Sequence, residues 1–191
     1  WVIDATNVIV ETNEDNNEMS KEFMIGYYLT VGSPYGTPGG EGWYDNRTNA
    51  YATLDTGIVD HGNGTRRVFT HWSGDASGTN YAQSDPIYMN GPKTVTANWK
   101  TQYYLTVKSA YGVAGGEGWY DSGASAPAAV TPLTVAGDAG TQYVFTGWGG
   151  DASGATSPSN AIIMSGPKTA TANWKNQYYL TVSSAYGTAG G

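Results

Sequence analysis

A block of about 75 residues occurs twice in this 191-residue chain and begins a third time. YYLTVGSPYGTPGGEGWYD starts at Tyr27, YYLTVKSAYGVAGGEGWYD at Tyr103, and YYLTVSSAYGTAGG at Tyr178. Trp43 and Trp119 stand 76 positions apart, as do Trp72 and Trp148, while Trp99 and Trp174 stand 75 apart. A tandem repeat fixes architecture before any motif is read for chemistry. The spacing predicts two complete units, 27–102 and 103–177, flanked by fragments at 1–26 and 178–191.

Units of this size bury little surface, so large aromatic side chains must supply much of the apolar area. The 7 Trp and 15 Tyr meet that need, and 27 Gly with only 13% charged residues fit a turn-rich β protein of the extracellular kind. Within the second unit, YYLTV alternates, with Tyr103, Leu105 and Val107 on one face, as a half-buried strand requires. A short strand follows around Ala128 to Pro132. QYVFTGW is a third strand with Tyr143 and Phe145 inward, AIIM a fourth, and TATANW a fifth with Ala170, Ala172 and Trp174 on one face. No window has helical periodicity, so an all-β fold of five short strands per unit is expected. One unit follows the last within a few residues of Trp174, which leaves no room for a flexible linker and predicts a semi-rigid rod.

Composition excludes several functions. The sequence has no Cys, which removes disulfides, thiolate metal sites and cysteine nucleophiles. The net charge is −7, and residues 1–26 hold six carboxylates against the single Lys21. Without a basic stripe, neither nucleic acid nor an anionic membrane surface is an expected partner. No apolar run reaches the roughly 18 residues of a membrane span, and no signal peptide is recognisable, so the chain reads as an interior piece of a longer protein.

GYYLTV, then YVFTGWGGDASG, then MSGPKTATANW resembles the divergent internalin B-repeat family, over residues 27–177 and again in part from 178. The resemblance implies small β-grasp-like modules lacking most of the helix, found in tandem in large secreted or cell-surface proteins of bacteria and archaea. The GEGWYDSG segment with its Trp-Tyr pair departs from the commoner family pattern. Residues 1–26 resemble the C-terminal end of a CARDB domain, an immunoglobulin-like module associated with bacterial cell adhesion, through Asp4, Val10, Glu11, Asn13, Glu14, Asn16 and Asn17; they read as its last hairpin.

Few residues point to chemistry. His61 and His71 occur only in the first unit, opposite Ala136 and Gly147 in the second, and neither has a Ser or carboxylate at a recognisable spacing. The acidic cluster Glu11 to Glu18, and the recurring Asp75 and Asp151 of the GDASG loop, could ligate a structural calcium through oxygen. Side chains that cap their own turns are the preferred reading of both. The Gly-rich GTPGGEG and GVAGGEG lack the Lys-Ser/Thr and following helix of a phosphate loop. Lys168, Asn173 and Glu117 have the residue types of an intramolecular isopeptide crosslink, with nothing else in favour. Trp43-Tyr44 and Trp119-Tyr120 are either core filling, the preferred reading, or flat platforms for stacked sugar rings. Asn46-Arg47-Thr48 and Asn63-Gly64-Thr65 are glycosylation sequons in expected loops, which makes Asn46 and Asn63 candidate modification sites.

No catalytic set emerges and no cofactor is expected. The sequence reads as a non-enzymatic structural or adhesive segment of a large extracellular or cell-surface protein: stalk, surface layer, sheath or filament. Its expected partners are neighbouring repeats, other copies of the chain, or a surface or matrix component. The alternative is a carbohydrate-binding array on a secreted protein.

Overall fold

The structure, a computed structural model, describes residues 25–188 and Gly190. The CARDB-like segment and the Glu11 to Glu18 calcium candidate therefore lie outside the described residues, apart from Ile25 and Gly26. The described residues form strands, turns and bends with no helix, so the fold is all-β.

A nine-stranded mixed sheet runs through both copies, starting in the first. Its opening strand Gly26–Gly32 pairs antiparallel with Gly42–Asp45 on one edge and parallel with the start of strand Lys93–Lys108 on the other. That long strand pairs antiparallel with Thr65–Gly74, which in turn takes Ile58–Asp60. The second copy repeats the order. Residues 102–105 of the long strand pair with Gly118–Asp121, residues 105–108 pair in parallel with Lys168–Tyr178, and beyond lie Thr141–Gly150 and Thr134–Ala136. Two-residue ladders such as Asn49–Ala50 with Ile87–Tyr88, and Ser125–Ala126 with Ile162–Ile163, tie together the remaining chain of each copy.

Each copy has its own core. Leu29, Val31, Phe69, Trp72, Met89, Val95 and Ala97 are buried together in the first, and Leu105, Val107, Phe145, Trp148, Met164, Ala170 and Ala172 in the second. Burial of each larger apolar side chain contributes about 1.5–3 kcal/mol.

Several expectations hold in detail. Leu105 and Val107 share the buried face with half-buried Tyr103, and Ala170 and Ala172 share it with half-buried Trp174. Others need correction. Tyr143 is not in the core: it is half-buried and stacks on Tyr111 at 3.7 Å between ring centroids. A bulge between Phe145 and Gly147 resets the alternation, so that Phe145 and Trp148, three positions apart, both face inward. The same bulge lies between Phe69 and His71. GWYD, not among the five expected strands, is a strand in both copies, and five strands per copy is too few. YYLTV at Tyr178 forms no strand beyond Tyr178 itself, and Tyr179, Leu180 and Val182 are exposed. The corresponding Leu29–Gly32 and residues 105–108 are held by strands that come later in their own copies.

Candidate functional site

Side-chain contacts between the two copies gather where one passes into the next. Strand Lys93–Lys108 runs through it unbroken for 16 residues, closing the first copy and opening the second. Its edges change partners on the way. Gly26–Gly32 gives way to Gly118–Asp121 on one side, and Thr65–Gly74 to Lys168–Tyr178 on the other.

Side chains from both copies converge on this strand. Arg66, on Thr65–Gly74 of the first copy, donates from Nε to Gln102 Oε1 at 2.8 Å. Gln102 Nε2 donates to Asp121 Oδ1 at 2.7 Å, and Lys100 Nζ lies 3.0 Å from the Asp121 carboxylate. The Gln102 and Lys100 contacts hold the Asp121 carboxyl below its ordinary range. The Arg66 guanidinium lies 4.4 Å above the Trp119 ring, which also meets Tyr104 edge-on at 5.2 Å. Behind them the turn before Thr65 abuts the second copy: Tyr104 N donates to Gly64 O at 2.9 Å. A Cβ at Gly64, whose φ is 74°, would come 3.1 Å from the Pro167 side chain. The joint can transmit orientation from one copy to the next, since it combines continuous backbone, a polar chain and an aromatic face.

The recurring acidic residues serve the sheet. Asp75 accepts from Thr94 N at 2.8 Å and pairs with Lys93 at 3.2 Å, while Asp151 accepts from Thr169 N at 2.8 Å and pairs with Lys168 at 3.0 Å. These contacts, led by the backbone N–H, hold both carboxyls below their usual range. The expected local turn cap is thus corrected: each carboxylate reaches 18 or 19 residues along the chain to pin the start of a closing strand. Glu41 and Glu117 pin the opening strands in the same manner. Glu117 accepts from Tyr104 OH and Val107 N at 3.1 Å each, and Glu41 from Tyr28 OH at 3.0 Å and Val31 N at 3.2 Å. The tyrosine hydroxyls are held above their ordinary range by these carboxylates. Lys168 and Glu117, considered for an isopeptide crosslink, are engaged with these other partners.

The Trp-Tyr pairs divide their labour. Tyr44 and Tyr120 pack against the cores and donate to Gly40 O and Gly116 O at 2.8 and 2.7 Å. Trp43 does not fill a core: its neighbour is Tyr28, edge-on at 5.4 Å, and it is 75% exposed. Its counterpart Trp119 is half-buried beneath Arg66. The position equivalent to Arg66 in the second copy is Gln142, which bonds Gln177 at 2.7 Å in place of the Arg66 to Gln102 contact.

Asn46 lies in the exposed turn after Asp45, and Asn63 in the exposed turn before Thr65, with its Oδ1 accepting from Thr65 N at 3.1 Å. His61 meets the Tyr35 ring at 6.1 Å, and exposed His71 bonds Thr70 Oγ1 at 3.0 Å. Matching hydrogen bonds, His61 N to Thr65 O and Gly137 N to Thr141 O, make Gly137 rather than Ala136 the counterpart of His61.

The joint network escaped sequence reasoning, because Arg66 and Trp119 stand in different copies and Gln142 breaks the repeat at the position that matters. That break was the available signal.

A family model described as a divergent InlB B-repeat domain matches residues 67–102 and 103–177. The match spans the whole second copy and the closing part of the first. Neither a curated protein nor a solved structure matches the chain. No helix among the described residues is long and apolar enough to cross a membrane. With more than half of its length matched, the chain belongs to the divergent InlB B-repeat family.

Proposed function

We propose that this chain is a non-enzymatic spacer in a large extracellular or cell-surface protein, with modules at 27–102 and 103–177 set end to end as a semi-rigid rod. Repeats of this family are typically surface-associated. The observation that carries the reading is the unbroken strand Lys93–Lys108, which the two modules share within one continuous sheet. A spacer needs fixed orientation between units more than it needs a pocket. The joint supplies that through Arg66, Gln102, Asp121 and Trp119. Its partners on this reading are further repeats and other surface components.

Small-angle scattering of the chain tests this. A maximum dimension matching two modules in line, unchanged by salt, supports the spacer; a distribution of bent shapes counts against it.

The exposed indole of Trp43 favours a second reading, in which it stacks on a sugar ring at the surface of the first module. A glycan-array screen followed by titration of Trp43→Ala separates the two, since binding that survives the substitution removes this site.

A further inference from the structure

We propose that each copy is a shear clamp, built to carry tension along the chain. This rests on the spacer reading and adds a mechanical duty to it.

Tension enters the first copy at the N-terminal end of Gly26–Gly32 and leaves along strand Lys93–Lys108 in the C-terminal direction, toward the second copy. These two strands are direct neighbours and run parallel, with Leu29, Thr30, Val31 and Gly32 opposite Lys93, Thr94, Val95 and Thr96. Pulling the first strand backward and the second forward slides them past each other. All four registered pairs are then loaded together. Had the strands been antiparallel, the ends would have opened one pair at a time. Sliding also drags Leu29 and Val31, 0% and 4% exposed, through a core closed by Val95.

The second copy repeats the device in the same direction, with residues 105–108 opposite residues 168–171. Because Lys93–Lys108 is the closing strand of one clamp and the opening strand of the next, load passes between clamps along a single strand with no slack. Both loaded strands are anchored from their outer sides. Glu41 holds Val31 N and Tyr28 OH on the opening strand, while Asp75 holds Thr94 N and Lys93 on the closing one. Glu117 and Asp151 do the same in the second copy. Each parallel pair thus has one carboxylate on its opening strand and one on its closing strand.

Single-molecule pulling on the full chain decides the matter. The sequence contains no cysteine, so two engineered thiols define the attachment points without background. Ile25→Cys with Leu180→Cys, both side chains being exposed, loads the two copies end to end. Ile25→Cys with Gly91→Cys, where an added Cβ meets nothing within 4 Å, pulls the first copy from one end of the parallel pair and peels it. Forced unfolding reports the barrier out of the native state, so the end-to-end geometry should rupture at a force at least about twofold higher than the peeling geometry at equal loading rate. It should also show two steps, each releasing roughly 250 Å of chain at about 3.5 Å per residue. Equal, low forces in both geometries would overturn the clamp. Should scattering still show a straight rod in that case, the spacer reading survives without the mechanical one; bent shapes with a twofold force difference would leave the clamp and remove the rod.

Discussion

The guanidinium of Arg66 rests 4.4 Å above the ring of Trp119, so a cation of one repeat covers an aromatic face of the next. A half-buried contact of this kind contributes about 0.5–1 kcal/mol. Arg66→Ala should therefore cost about 1 kcal/mol once the lost Gln102 hydrogen bond is added. Its clearer effect is on the coupling of the two copies, read as a broader or split thermal transition and a red-shifted tryptophan emission. Gln142→Ala, the equivalent change in the second copy, uncovers no indole and should leave the emission unchanged. Equal spectra for the two variants would contradict the assignment.

The wedge at the joint can be tested from the opposite side. Gly64 holds a φ of 74° with Pro167 beside it, and alanine there both strains the backbone and pushes the second copy away. Gly64→Ala should destabilise by about 1–2 kcal/mol. It should also change the scattering profile, whereas Gly62→Ala, whose added Cβ meets nothing within 4 Å, carries only the backbone cost. Identical profiles would show that this turn does not set the angle between copies.

The tryptophans should divide sharply by burial. Trp72 is 2% exposed and its Nε1 donates to Asn80 O at 3.0 Å, so Trp72→Ala removes a core side chain and should cost about 3–5 kcal/mol. Trp99, which keeps one edge on Phe69 and donates to Ser33 Oγ, is only half-buried and should fall between. Trp43→Ala should stay within about 0.5 kcal/mol, as surface changes do. Denaturant midpoints in the order Trp72, Trp99, Trp43 from lowest to highest test the assignment.

Much of this was legible in the sequence because alternation and repeat spacing report on the same thing, a face that must be buried in every copy. Leu105, Val107, Ala170 and Ala172 were placed correctly for that reason. The bulge between Phe145 and Gly147 was not legible, since an inserted residue changes the alternation without changing composition. Nor was the strand Gly118–Asp121, because its Trp looks like core while lying partly open. The pairing of Asp75 with Lys93 and Thr94 was hidden by a separation of 18 and 19 residues, which only the sheet closes. Arg66 and Trp119 were hidden for the same reason, on a larger scale.

Acid should weaken the aspartate contacts of both copies and of the joint between them. Asp75, Asp151 and Asp121 titrate below their ordinary values, through Thr94 N, Thr169 N and the Gln102 side chain first, then Lys93, Lys168 and Lys100. A depressed folded-state pKa means that the native state holds its proton less tightly than the unfolded chain does. The stabilisation is thus present above the unfolded carboxylate value of about 3.9 and is lost as pH falls below it through the folded values. These groups are partly exposed, so the effect is modest and weakened by salt. Stability should be flat from neutral pH to about 5 and fall below about 4, with a shallower fall in a variant carrying Asp75→Asn and Asp151→Asn. An equal slope in wild type and variant would assign the acid response elsewhere.

If the host glycosylates exported proteins, the exposed turns at Asn46 and Asn63 should carry glycans in the native source. Peptide mass spectrometry of native material would show unmodified peptides at both sites if they are unused. A glycan on Asn63 would stand beside Gly64, whose carbonyl accepts from Tyr104 N of the second copy.

The most discriminating substitution is at Arg67, where the two copies solve one packing problem differently. In the second copy Tyr143 stacks on Tyr111 at 3.7 Å and 10° between planes. In the first, the corresponding Arg67 lies over Tyr35 at 5.0 Å and donates from Nη1 to Thr101 Oγ1. Its Nε is buried and has no hydrogen-bond partner among the described residues. An unpaired buried donor costs about 1–3 kcal/mol, and an aromatic stack contributes about 0.5–1.5 kcal/mol beyond its area. Replacing Arg67 by Tyr removes the first and introduces the second, at the expense of the cation–π contact and the Thr101 hydrogen bond. The balance favours Arg67→Tyr by about 1 kcal/mol, read as a higher denaturant midpoint for the first copy. Tyr143→Arg should lower that of the second by a similar amount, because Asn176 replaces Thr101 as the cross-strand neighbour of Tyr143. A loss of stability in Arg67→Tyr would mean that the guanidinium is worth more to the first copy than the stack is to the second, and the two sites would then not be equivalent.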